Sequence, residues 1–242
     1  MTVADQAEIA LGITAAFAVV ARWRGALTTG GTVAGAVVGA CVSVGFGLPG
    51  LAVLGTFFVV GTLATRIGWE KKKARGTAEA GEGRRDWKRV IGKGGVAAAA
   101  ALLFALDRSW ALRGAFVGAV AAALADTLGT EIGTLSGGDA RSLPLLRRVP
   151  AGTPGAVSLL GTTGVVLGAV LVACVAVSST AFSPERPAAF NGVLAAASGI
   201  AASFAESLAV GLGWRAPGFV RNVGTTLVGA LLAAPLWLSV LC

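Results

Sequence analysis

Apolar residues run through this chain in stretches about as long as a bilayer is thick, and that feature decides its class. A helix needs ~20 apolar residues to cross the hydrocarbon core of a membrane. Measured that way, the sequence holds eight candidate spans, at about 6–22, 26–48, 50–67, 93–107, 109–127, 156–178, 188–212 and 220–241. Only 13% of the 242 residues are charged, where a soluble domain carries about 25%. So high an apolar content also excludes disorder, and the 36 glycines show no collagen period. The expectation is an all-α, polytopic helical membrane protein of about eight transmembrane helices, a single membrane domain over residues 1–242.

Histidine and tyrosine are both absent. That removes a Ser-His-Asp triad, a histidine base and histidine metal ligands. Cys41, Cys174 and Cys242 sit singly in apolar runs without zinc, iron–sulfur or disulfide spacing, and read as small packing residues. Asp5 and Glu8 precede the first apolar run with no basic flank, which does not match a cleaved signal peptide.

The net charge is +8, and ten of the 20 lysines and arginines fall between Arg66 and Lys93. In a chain otherwise made for lipid, a basic patch with few aromatics faces a cytoplasmic membrane surface rather than nucleic acid. With the spans in place, 17 basic residues fall on one side and 3 (Arg108, Arg113 and Arg186) on the other. The positive-inside rule makes the first side cytoplasmic. Both termini then lie outside, in a multi-pass protein of the cell membrane. The count also supports the short, Gly- and Ala-rich fourth span. Without it the basic loops at 66–93 and 127–153 would face opposite sides. Residues 66–93 read as a basic cytoplasmic loop inserted between helices three and four. It is either a solvated loop that only sets topology or a phosphate-binding lid.

The chain also repeats itself. Residues 121–129 (AAALADTLG) align without gaps on 201–209 (AASFAESLA), which sets Asp126 on Glu206 and Thr127 on Ser207. A weaker third copy starts at Leu63-Ala64-Thr65-Arg66. The returning spans open on Thr28-Thr29-Gly30-Gly31, Gly161-Thr162-Thr163 and Gly224-Thr225-Thr226. The pattern predicts parallel repeats with polar elbows at the cytoplasmic ends. Asp126, Glu131 and Glu206 lie in or just after apolar helices, where an ionisable group marks a functional site by default. Carboxylates and hydroxyls in an oxygen-only site suit Mg2+. Gly92-Lys93-Gly94-Gly95 is expected to open the fourth span, with bare backbone N–H groups for phosphate.

ADTLGTEIGTLSGG, GTPGAVSLLGTTG and the Arg84-Arg85 pair give the chain a resemblance to an integral membrane family. That family contains the plant phytyl-phosphate kinases of tocopherol synthesis, eukaryotic transmembrane protein 19 and many prokaryotic relatives. The resemblance implies a membrane kinase that converts an isoprenoid lipid monophosphate to its diphosphate with CTP or another nucleoside triphosphate and Mg2+. Carried over, it marks Asp126, Thr127, Glu131, Ser136, Gly152, Thr153, Gly155, Ser158, Gly161, Thr162, Arg84, Arg85, Thr225 and Gly229. Arg66, Lys93 and Glu206 depart from the family's Lys, Asn and Asp, which leaves the acceptor's identity open.

The expected site therefore has Asp126, Glu131 and Glu206 as catalytic and metal-binding acids. Around them Arg66, Lys71, Arg84, Arg85, Lys93, Gly94, Gly95, Thr127, Thr130, Ser136, Thr153, Gly155, Ser158, Thr162, Asn222 and Thr225 are expected to bind substrate and nucleotide phosphates. Two other functions remain open, a transporter or flippase of an anionic lipid or small ion and a lipid-phosphate cytidylyltransferase. The expected partners are membrane lipids, an isoprenoid phosphate and a nucleotide, with no nucleic acid; the oligomeric state is left open.

Overall fold

The computed structural model describes residues 3–79, 81–138, 140–179, 181–182 and 188–238, so Arg186 and Cys242 lie outside the described residues. Its helices are α1 (Val3–Trp23), α2 (Thr29–Arg66), α3 (Trp69–Ala74), α4 (Trp87–Leu106), α5 (Trp110–Gly133), α6 (Leu159–Val177), α7 (Ala188–Gly211) and α8 (Gly218–Leu238). The molecule is a helical membrane protein, and α2, α4, α5, α6 and α7 are each long and apolar enough to cross a bilayer.

The 38 residues of α2 do not form one rod. Straight, they would reach about 57 Å at 1.5 Å per residue. Instead Arg66 at the far end donates from Nη2 to the carbonyl of Arg24, just before the start, at 3.2 Å. The chain folds back at Gly47, whose φ of 57° and ψ of −143° suit only glycine. Pro49 follows, where a missing N–H at a helix start does no harm. The spans expected at 26–48 and 50–67 are the two antiparallel arms of α2.

The helix α4 begins at Trp87, six residues before the expected 93, because the Asp86 carboxylate accepts from the Arg89 N–H at 2.9 Å and caps it. This corrects the phosphate loop expected at Gly92–Gly95. Those glycines lie inside the helix, where their N–H groups are engaged in the helix's own ladder. They serve close packing instead: a Cβ on Gly94 would stand 3.0 Å from Val38, and one on Gly92 3.0 Å from Asn222. The basic segment between α2 and α4 shortens to 67–86 and carries the six-residue α3.

The buried centre is α5, with Phe116 to Ala125 shielded along its length and α2, α4, α6, α7 and α8 around it. Small residues permit the approach, as membrane helices require. A Cβ on Gly118 would lie 2.3 Å from the Gly229 carbonyl of α8, and one on Gly168 2.7 Å from the Leu124 carbonyl. At the end away from the basic segment, the rings of Phe46, Phe104, Phe116 and Phe182 pack with centroids 4.3 to 5.6 Å apart. At the other end, the stretch between α5 and α6 holds a small antiparallel sheet in the order β2-β1-β3, from β1 (Arg141–Ser142), β2 (Arg147–Arg148) and β3 (Ala156–Val157). An all-α reading does not contain this sheet. Strands two residues long give no alternation to read.

Candidate functional site

At the basic end the helices enclose a cavity of about 490 Å3 whose lining changes character along its length. Glu79, Arg85, Arg89, Lys93, Asp126, Glu131, Glu206 and Arg221 make one part a charged chamber. Ile13, Phe17, Ala18, Leu51, Leu54, Phe57 and Phe58, from α1 and α2, make the other part apolar. The loop Gly152–Ser158 borders the chamber. It is held by the Ser158 hydroxyl, which caps α6 by accepting from Gly161 N–H at 3.0 Å.

Each acid in the chamber holds a base. Asp126 on α5 pairs with Lys93 on α4. Glu206 on α7 accepts from Arg221 Nη1 on α8 at 3.2 Å. The charges of Asp126 and Glu206 act on each other, and Lys93 acts on Glu206 too. Two acids and two bases thus form one cluster across α4, α5, α7 and α8. In the loop before α4, Glu79 Oε1 meets Arg89 Nη1 at 3.0 Å, while Oε2 is buried without a hydrogen-bond partner among the described residues. Burial raises the Glu79 carboxyl above its ordinary value, and the Arg89 guanidinium opposes the shift. Glu131 is held twice: Lys72 Nζ donates to Oε2 at 2.6 Å and Thr65 Oγ1 to Oε1 at 3.0 Å. Lys72 is 0% exposed and also donates to the Ala64 carbonyl at 2.9 Å, so it ties α3 to the end of α2.

Arg85 stands apart. It is 7% exposed, and its guanidinium lies 5.1 Å from the Phe57 ring centroid and 5.4 Å from that of Phe58. Among the described residues its Nη1 has no hydrogen-bond partner and no ion pair includes it. Burial lowers its proton affinity, opposed by the charges of Glu79 and Glu131, both already bonded to other bases. Arginine nevertheless keeps its charge near neutrality. Its backbone is fixed from both sides: Arg85 N–H donates to the Ala26 carbonyl at 2.9 Å, and Thr28 N–H to the Arg85 carbonyl at 3.1 Å. A Cβ on Gly31 would stand 2.1 Å from that carbonyl oxygen, so the Thr-Thr-Gly-Gly elbow has room for Arg85 only as glycine.

Of the residues singled out from the sequence, Asp126, Glu131, Glu206, Arg85, Lys93, Gly94, Thr127, Thr130, Thr153, Gly155, Ser158, Thr162 and Asn222 line the cavity. The others do not. Arg66 is spent on the Arg24 carbonyl. Lys71 is exposed on α3 while its neighbour Lys72 turns inward. Arg84 points outward and pairs with Glu82 at 3.0 Å. Gly95 packs on Ile91 within α4. Ser136 is buried elsewhere, its carbonyl taken by Arg75 at 3.3 Å. Thr225 is buried with its hydroxyl on the Arg221 carbonyl at 2.9 Å. The expected three-acid metal site is also corrected. Among the described residues no group of three or more acidic or cysteine side chains could hold a metal. Lys72 and Thr65 bond one oxygen of Glu131 each. Sequence reasoning missed Lys72, Glu79, Arg89 and Arg221. Of these, Arg89 had a readable signal, four residues before Lys93 and so on the same face of a helix.

Comparison with known proteins places the chain in a family. A family model described as integral membrane protein DUF92 matches residues 12–214. The chain belongs to that family. This DUF92 protein is 30% identical over 213 residues to an uncharacterised membrane protein of Methanocaldococcus jannaschii, covering 88% of this chain and 84% of that one. It is 31% identical over 154 residues to the chloroplastic protein VTE6 of Arabidopsis thaliana, covering 62% of this chain and 46% of that one. An uncharacterised membrane protein of Synechocystis is 35% identical over 130 residues, 52% of this chain and 50% of its own. The DUF92 chain thus spans about half the length of the latter two. No solved structure matches it.

Proposed function

We propose that this protein transfers the γ-phosphoryl group of a nucleoside triphosphate, CTP in the first instance, to an isoprenyl monophosphate of the phytyl type. The observation that carries the reading is the two-part cavity. A soluble anion needs only the charged chamber and a neutral lipid only the apolar part; a lipid phosphate needs both. The resemblance of the Asp126–Glu131 motif to the plant phytyl-phosphate kinases supports the same reaction.

In that reaction an oxygen of the lipid monophosphate attacks the γ-phosphorus. The bond from that phosphorus to the β–γ bridging oxygen breaks, and the nucleoside diphosphate leaves with the electron pair. With a dianionic acceptor no proton moves, so a chain without histidine lacks nothing. Such a transfer depends on positioning and charge neutralisation. Arg89, Lys93 and Arg221 supply the positive charge, exchanging their carboxylate partners for phosphate oxygens as nucleotide enters. Asp126 and Glu206, freed by that exchange, fit a hard cation that takes few protein ligands and completes its shell with phosphate and water. If Mg2+ is bound, Asp126 and Glu206 would hold it, and it would add to the charge neutralisation that Arg89, Lys93 and Arg221 supply. Asp126 lies seven residues from the end of α5 and Glu206 five from the end of α7, within about 11 Å of one membrane face. Transporters gather such groups near mid-membrane.

The test uses purified protein in lipid nanodiscs with a panel of isoprenyl monophosphates and nucleotide labelled at either the α- or the γ-phosphate. Label from the γ position in the lipid diphosphate is expected. Label from the α position with release of pyrophosphate would make the protein a cytidylyltransferase. No label in lipid from either would leave the transport reading.

A further inference from the structure

We infer that Arg85 anchors the phosphate of the acceptor lipid, and that the groove between α1 and the arms of α2 holds its tail, with Gly35 and Gly55 setting the room available; this rests on the reading above. Three cations lining the chamber, Arg89, Lys93 and Arg221, have carboxylate partners, and among the described residues Arg85 alone of the four lining it has none. A buried charge without a partner is costly, and an anion delivered to the cavity removes that cost. The guanidinium lies over Phe57 and Phe58, where the charged chamber turns into the apolar groove. A ligand seated there has its charge on Arg85 and its remainder against Phe58 and Phe17, whose rings meet at 5.1 Å. That is the shape of a lipid phosphate and not of a nucleotide, whose base and ribose would be desolvated in such a groove.

The groove has open space at two positions. Both Gly35 and Gly55 line it. A Cβ on Gly55 would meet nothing within 4 Å, and one on Gly35 would meet only Leu27 at an ordinary 3.7 Å. Larger side chains there would occupy the volume assigned to the tail while leaving the helix packing unchanged.

The experiment measures equilibrium binding of phytyl monophosphate, geranyl monophosphate and CTP to the protein in nanodiscs, for wild type and for Arg85→Gln, Arg85→Lys, Gly35→Leu and Gly55→Leu. Loss of a charge-assisted contact is expected to weaken both lipids about ten- to a hundredfold in Arg85→Gln, with CTP affinity kept and partial recovery in Arg85→Lys. Gly55→Leu is expected to weaken phytyl monophosphate about tenfold, since several buried methylenes lose their place, and to spare the short geranyl chain. Weakened CTP binding with intact lipid binding in Arg85→Gln would overturn the anchor. Unchanged phytyl binding in both glycine variants, or equal losses for the two tails, would overturn the groove. Should Arg85→Gln fail to fold, the glycine variants still decide the tail and Arg85→Lys the anchor. Binding needs no phosphoryl transfer, so this pattern without turnover would end the kinase reading and keep the acceptor site, and turnover without it would do the reverse.

Discussion

Replacing Asp126 by asparagine removes one charge and almost no volume. If its carboxylate serves the transferring phosphate, kcat should fall about a hundredfold or more, ~2.7 kcal/mol, with the melting temperature little changed. Steady-state kinetics at several Mg2+ concentrations checks this, and a fully active variant would remove Asp126 from the chemistry. Arg84 should behave as a surface residue despite its place beside Arg85. Its side chain is 46% exposed and its partner Glu82 80% exposed, and such pairs contribute about 0–1 kcal/mol. Arg84→Ala should therefore leave kcat/KM within about twofold of wild type; a large loss in the same assay would return it to the site. Glu79 makes a prediction about pH. Its folded pKa is raised by burial, so its contribution to stability is full below its unfolded value and is lost as pH rises through the folded one. The melting temperature should fall over that window, and Glu79→Gln should flatten the fall. A melting curve with the same pH slope in both proteins would contradict this account.

At the level of elements, the start of α2 decides where Arg85 sits. In Gly31→Ala the new methyl would lie 2.1 Å from the Arg85 carbonyl oxygen, so the Arg85 backbone must shift. The expected outcome is a higher KM for the lipid acceptor, about tenfold for a displaced charged contact. Gly30→Ala, with only Trp87 at 3.5 Å, is the matched control and should bind normally. Membrane-length helices were readable because bilayer thickness sets their length, and both arms of α2 stood out as separate apolar runs around Gly47-Leu48-Pro49. The beginning of α4 was not readable from hydropathy. Its first two turns carry Trp87, Lys88, Arg89 and Lys93, which continue the basic composition of the loop, and only Asp86 in a capping position marked the boundary. In the six residues of α3, three adjacent lysines point about 100° apart. A helix that short offers no apolar stripe by which to tell that Lys72, rather than Lys71, faces inward.

For the whole molecule, the basic residues of the α1–α2, α2–α4, α5–α6 and α7–α8 connections share one end with the cavity, and Arg108 and Arg113 lie at the other. By the positive-inside rule the cavity is expected to face the cytoplasm. With Cys41, Cys174 and Cys242 replaced, a cysteine at Gly76 should label only after cells are permeabilised, and one at Asp107 should label in intact cells. The reverse result would invert the orientation. The acids Asp126 and Glu206 could be found in the sequence because an ionisable group inside an apolar run stands out. Their partners could not, because Arg221 and Arg89 come from other helices and look like ordinary flanking charges until the bundle closes. The groove between α1 and α2 carries one more consequence. Ile13 and Phe17 line it and are 48% and 39% exposed on the helix's outer surface, so on the proposed function a lipid acceptor would reach it by diffusing in the plane of the bilayer. The concentration that governs its capture is then its mole fraction among lipids and not its molarity in the tube. Diluting the membrane with inert lipid at a fixed bulk amount of acceptor should then slow the proposed transfer, whereas the nucleotide, arriving from water, should saturate it as before.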